Sequence, residues 1–244
     1  MSRHMIKNYR LFSILGILGG VAYFAANAFL FLTPHFDLQN ASRADWTIMD
    51  ATRFINSMIL GMGGTILLLF GFYAMFRAVD TVCPQWQKRL WLLGGIGTAF
   101  SAFSHFVFGC LQPLQVKAML AAAEALPGTE IPQECLDFVL TEQEDWSNLV
   151  TGVTFGFLIV QCVAYICIIL GGKLGVPKWL AFLNFLSMGI LGTLLGLALR
   201  HTPLAGLTPG LEVLGYGLMY IAPLLFWLRF SEEQPQAERA PTDV

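Results

Sequence analysis

The chain has 244 residues, 56% of them hydrophobic and only 12% charged, where an ordinary soluble domain carries roughly a quarter charged residues. With a mean hydropathy of +0.64, this shortage of charge excludes a freely soluble globule and places the protein in the membrane class. The net charge of −2 is uninformative alone, but the lack of basic clusters interleaved with aromatics argues against nucleic acid as a partner.

Six stretches approach the ~20 apolar residues that a helix needs to cross a bilayer: 11–33, 54–76, 90–112, 148–170, 179–199 and 211–228. They predict an all-α, polytopic six-transmembrane-helix bundle, a single domain over residues 1–230. The first span follows a basic segment and contains Ala26-Asn27-Ala28, which resembles a cleavage site. Its apolar run continues through Phe29-Leu30-Phe31-Leu32, too long for an ordinary signal peptide, so it reads as a retained anchor. Between spans three and four, residues 113–147 predict a helical extracytoplasmic loop or cap. Its first helix covers residues 114–126, Pro127-Gly128 breaks it, and a second short helix covers 134–145. Loops of this length are often lids or binding loops. The polar, Pro-containing segment 231–244 reads as a disordered cytoplasmic tail.

Topology follows from Lys and Arg. Arg3, Lys7, Arg10, Arg77, Lys88, Arg89, Lys173, Lys178, Arg229 and Arg239 fall on one side, and Arg43, Arg53, Lys117 and Arg200 on the other. This bias predicts both termini in the cytoplasm and residence in the plasma (inner) membrane. A faint repeat accompanies it. Asp45-Trp46-Thr47 and Asp145-Trp146-Ser147 precede spans two and four, and Lys88/Pro113 and Lys178/Pro203 bracket spans three and five at equal separation.

Helices in lipid meet through small and polar residues, and each span carries such a stripe at helical spacing. The stripes include Gly16, Gly20, Tyr23 and Asn27; Arg53, Ser57, Gly61 and Gly64; Gly94, Thr98, Ser101 and His105; Thr151, Thr154 and Gln161; Asn184, Ser187 and Gly192; and Glu212, Tyr216, Tyr220 and Pro223. His105 is the outstanding member. An ionisable group well inside a span reads by default as a functional site or a paired contact. At 1.5 Å per residue it lies about 22 Å above Leu90, in the outer third of the membrane.

The candidate ligand-binding residues are Asn27, Asp50, Arg53, Asn56, Ser101, His105, Asn148, Thr151, Arg200, Glu212 and Tyr216, gathered mainly at the outer ends of the spans. The expected site is an outward-facing polar pocket with aromatic walls that takes an amphipathic or lipid-like small molecule. Three alternatives stand beside it. One is an intramembrane enzyme acting on a lipid or isoprenoid with His105 as acid or base, although the sequence has no paired His cluster, HExxH motif or serine elbow. Another is a membrane scaffold without a ligand. The third is a transporter or its substrate-binding subunit. Six spans, small-residue faces such as Gly16, Gly20, Ala22 and Ala26, and long outer loops look similar to the vitamin-binding S-components of energy-coupling transporters. That architectural resemblance implies a docking face on the first helix. No Cys/His spacing suits zinc, and no metal or other cofactor is expected. Cys110 and Cys135 are a possible disulfide pair, with two free thiols the simpler expectation.

Overall fold

A computed structural model describes residues 3–32, 49–125, 134, 135, 138 and 143–237. Among them every regular element is helical. In chain order these are α1 (Arg3–Phe31), α2 (Ala51–Val82), α3 (Gln85–Ser104), a π-helical segment (His105–Leu111), α4 (Gln112–Ala125) and α5 (Gln143–Leu170). A 3₁₀ turn (Lys178–Phe182), α6 (Phe185–Leu199), a second 3₁₀ segment (Pro203–Gly210), α7 (Leu211–Leu218) and α8 (Ile221–Ala237) complete the chain. They form six apolar helical columns. Five are long and apolar enough to cross a membrane, and α6 is a shorter apolar helix. Large apolar side chains such as Leu18, Ile59, Ile66, Leu149, Ile190 and Leu194 are exposed around the bundle, the surface that lipid would cover.

The bundle is built on close helix approach. A methyl added to Gly20 would lie 2.4 Å from the Gly217 Cα, and one on Gly19 would lie 2.6 Å from the Gly64 carbonyl oxygen. Helix α1 therefore packs between α2 and α7 with backbone nearly on backbone, as small residues allow in lipid. Helix α3 meets α5 in the same way through Gly94, which lies against Gln161. At one end Trp91 stacks on Phe72 with ring centroids 5.3 Å apart. Arg10 there donates to the Trp227 carbonyl of α8 at 3.2 Å, tying α1 to the last helix.

The helices depart from the expected spans at three places. The fifth span is expected over 179–199, but α6 begins only at Phe185. Asn184 is the reason: its extended backbone (φ −146°, ψ 166°) and side-chain acceptance from the Ser187 N–H make it an N-cap, and its amide donates to the Ala181 carbonyl at 2.6 Å. At ~1.5 Å per residue, fifteen residues reach only about 22 Å. Second, the helix expected over 114–126 is not separate from the third span. The chain runs helically from Gln85 to Ala125, and the π-helical segment absorbs Pro113. A proline lacks an N–H and its ring collides with the carbonyl four residues back. The preceding turns widen accordingly, with the Gln112 N–H bonding to Val107, five residues back.

Third, the last column starts earlier than residue 211, with apolar character from Leu204 to Ser231, and is broken between α7 and α8. Pro223 cannot donate to the Met219 carbonyl, which instead accepts from Ala222 at 3.3 Å. Helix α8 then continues to Ala237, through the first residues read as tail. The expected repeat pairs a 41-residue helical run, Gln85–Ala125, with the short α6, and its Asp45-Trp46-Thr47 motif lies outside the described residues, as does half of the expected 134–145 helix. Cys110 is buried and Cys135 exposed, and both are free thiols.

Candidate functional site

The sequence candidates separate into a buried network, a set of helix-end residues and one residue in a cleft. His105 opens the π-helical segment and is 8% exposed. Its Nε2 lies 3.1 Å from the Ser57 carbonyl oxygen and 3.1 Å from the Ser57 hydroxyl. A carbonyl oxygen only accepts, so Nε2 carries the proton and donates to helix α2. The ring rests on Gly61, where a methyl would come within 2.3 Å of it, and meets the Tyr23 ring edge-on at 4.8 Å. Nε2 is thus a bound donor in a packed helix junction.

Below it the polar residues continue inward. Tyr23 donates to the Ser101 carbonyl at 3.1 Å, and Ser101 to the Thr98 carbonyl at 2.7 Å. Thr98 and Tyr216 both donate to Gln161 Oε1, at 3.2 and 2.8 Å. Gln161 is 1% exposed, and its Nε2 has no hydrogen-bond partner among the described residues. Ser101, His105 and Tyr216 are therefore buried in one polar row. Thr151 joins its margin through the Ser104 hydroxyl at 3.2 Å.

The helix-end candidates have local roles. Asp50 is the exposed N-cap of α2 and accepts from the Thr52 N–H at 2.9 Å. That bond holds its carboxyl below the usual carboxylate range. Arg53 donates to the Phe29 and Leu32 carbonyls at 2.8 and 2.7 Å, covering the last carbonyls of α1. Arg200 donates to the neighbouring His201 at 3.1 Å. Asn56 and Asn148 are exposed, and Asn27 is half-buried near the end of α1.

Glu212 differs from all of these. The sequence places it at the mouth of the sixth span, yet the structure sets it deep. Its neighbours Gly210 and Gly217 pack on Phe24 and Gly20 of α1, so Glu212 stands opposite that stretch, roughly two turns inside the C-terminal end of the helix. The 3₁₀ segment Pro203–Gly210 supplies the end of the column beside Phe31, the last residue of α1, and carries Glu212 away from that end. It lines a cleft of about 320 Å³ with Gly189, Gly192, Thr193, Thr208 and Pro209. Among the described residues no hydrogen bond or ion pair reaches its carboxylate. Gly189, Thr193 and Thr208 are not among the sequence candidates. The readable signal was the Gly189/Gly192/Gly196 spacing on α6, which leaves a groove wherever an opposing side chain stays short of it.

Long apolar helices, a lipid-facing apolar surface and small-residue packing define an integral, multi-pass membrane protein. The chain belongs to a family of unknown function, DUF6796, whose model matches residues 5–229. No curated protein and no solved structure matches the chain.

Proposed function

We propose that the protein binds an amphipathic, lipid-like molecule that enters sideways from the bilayer into the cleft between α6 and α7. In this reading Glu212 holds the polar head and the apolar body lies along α6. Both termini face the cytoplasm of the plasma (inner) membrane, on the ten-to-four division of Lys and Arg.

One observation carries the reading: a carboxylate without a described partner lines a 320 Å³ cleft beside a helix that exposes Leu186, Ile190 and Leu194. Acidic groups at membrane depth are costly unless paired or functional. The volume is at the low end of the ~300–1,000 Å³ typical of ligand pockets. It suits a head and a few methylenes, with the tail left in lipid.

The test is lipid extraction and mass spectrometry of protein purified in mild detergent. Wild type should retain an amphiphile that Gly189→Leu loses. A methyl at Gly189 meets Glu212 at 3.4–3.6 Å, ordinary contact, so the larger side chain fills the cleft without forcing the backbone apart. Equal retention by both proteins overturns the reading.

Transport is the second reading, favoured by the unpartnered Gln161 Nε2 within the buried polar row. It requires water there. Cysteines placed at Thr98 and Gln161 should then react with a membrane-impermeant thiol reagent, and their inertness would exclude an aqueous path.

A further inference from the structure

Resting on the cleft reading, we infer that the head group held by Glu212 is a primary ammonium. The cleft's hydrogen-bonding inventory points to it. The Thr193 hydroxyl donates to the Gly189 carbonyl at 3.0 Å, and the Thr208 hydroxyl donates to the Ala205 carbonyl at 2.8 Å. Both protons are committed, and both oxygens keep acceptor capacity. Gly189, Gly192 and Pro209 bring no side-chain donor. Among the described residues, the lining contains no Lys, Arg, Asn, Gln, His, Trp or Tyr. The described side chains therefore offer three acceptor groups, one of them a carboxylate, and no free donor.

This inventory sorts head groups by chemistry. A phosphate, sulfate or carboxylate head brings only acceptors and a like charge, so nothing in the cleft holds it. A hydroxyl head supplies one donor and leaves the carboxylate charge uncompensated. A quaternary ammonium supplies charge without N–H donors and is normally held by an aromatic cage, and no aromatic side chain among the described residues lines the cleft. A primary ammonium brings one positive charge and three N–H donors, which match Glu212, Thr193 and Thr208. It also removes the cost of an unpaired carboxylate among apolar side chains.

The amine can come from a phospholipid head or from a free long-chain amine, and two sets of probes separate these sources. The first uses the full-length protein in detergent with dodecylamine, dodecyltrimethylammonium or dodecanol, read as ligand-dependent thermal protection. The second uses nanodiscs of phosphatidylethanolamine or phosphatidylcholine with identical acyl chains.

Dodecylamine should protect wild type, while the quaternary amine and the alcohol should not. Glu212→Gln should weaken dodecylamine binding by about thirtyfold or more, the loss expected when a desolvated charge pair is broken. Thr193→Val, which keeps shape and charge, should weaken it severalfold and guards against a folding defect in the Gln variant. Protection by phosphatidylethanolamine discs alone assigns the same ammonium to a bilayer lipid.

Equal binding of the quaternary amine, or unchanged binding by Glu212→Gln, overturns the ammonium. So does protection by sodium chloride without amine, or a co-purifying protein whose Lys or Arg occupies the cleft. Should Gly189→Leu still shed the extracted lipid after any of these results, the cleft reading survives without the ammonium. Should it retain the lipid, the cleft reading itself fails.

Discussion

The packing of His105 against Gly61 gives a prediction with a definite sign. Gly61→Ala places a methyl 2.3 Å from His105 Cδ2 and 2.5 Å from Nε2, more than 1 Å inside ordinary contact. The imidazole cannot simply retreat, because Nε2 is bonded to Ser57 and Tyr23 stands 4.8 Å away on another side. Overpacking of this kind costs about 1–3 kcal/mol. His105→Ala alone removes the ring and leaves a cavity, at about 2–5 kcal/mol for a large buried side chain cut to Ala, with roughly 1 kcal/mol for the hydrogen bond. In the double variant the methyl introduced by Gly61→Ala enters the vacated space, and Ala is favoured over Gly in a helix by about 0.5–1 kcal/mol. The two changes should therefore couple favourably by about 2 kcal/mol, inside the range for touching residues. The assay is reversible unfolding of the four proteins in mixed micelles. Additivity within about 0.5 kcal/mol would show that methyl and ring do not meet, and would refute the placement of His105 against α2.

Three further outcomes follow. Tyr216→Phe removes one donor to Gln161 and should cost about 0.5–1.5 kcal/mol, whereas Gln161→Leu orphans the Thr98 and Tyr216 hydroxyls and should cost more, about 1–3 kcal/mol for each buried group left unpaired; the same micellar unfolding ranks them. Asp50 has a folded-state pKa below its unfolded value, so its capping contribution is complete above about pH 4 and is lost as the pH falls through the lowered value. The protection factor of the Thr52 amide, its exchange relative to the intrinsic rate at each pH, should fall over that acid range in wild type and already be low at neutral pH in Asp50→Ala. For topology, an impermeant maleimide applied to intact cells should label the exposed Cys135, while a cysteine replacing Lys173 should label only after lysis; the reverse pattern would invert the orientation.

The helical class and the membrane setting were readable from composition and run length, because a bilayer imposes a length and a polarity on anything that crosses it. The extents of the helices were less readable, since three residues act through backbone geometry that a hydropathy window does not register. Asn184 fits an inward polar stripe by spacing, but it starts a helix. The stretch Asn184-Phe185-Leu186-Ser187 carries a cap signal that the surrounding apolar residues mask. Pro113 reads as a terminator, yet a π-helical detour carries the helix past it. Pro223 reads as one more member of a stripe, and it divides the last column. The site residues show the same limit. Spacing correctly put Ser101, His105 and Tyr216 in the interior. It assigned Asp50 and Arg53 to a ligand mouth, while the structure gives both to helix ends, where unpaired N–H and carbonyl groups compete for any nearby polar side chain.

Among the described residues, His105 and Glu212 are ionisable side chains other than Cys and Tyr set inside the apolar columns, close to opposite sides of α1, and their surroundings explain why only one invites a ligand. His105 faces α2 at Gly61, where the neighbouring backbone is near enough for a carbonyl to accept from the ring. Its hydrogen-bonding need is met within the protein, and its conservative use is to fix α2 against the π-helical segment. Glu212 faces α6 at Gly189, which stands at ordinary contact distance and brings no side-chain donor. The adjacent hydroxyls have already given their protons to α6 and to the 3₁₀ segment. Small residues thus do opposite things on the two sides: at Gly61 the missing methyl admits a side chain that satisfies itself, and at Gly189 it leaves Glu212 beside a cleft that the described residues do not fill. A packing requirement alone would have favoured an apolar residue at position 212, because burying Leu costs nothing in polar pairing while an unpaired carboxylate does. Glu212→Leu should for that reason leave the fold at least as stable as wild type in the same micellar unfolding assay while abolishing amphiphile retention. A clear loss of stability would mean that the carboxylate serves the fold itself.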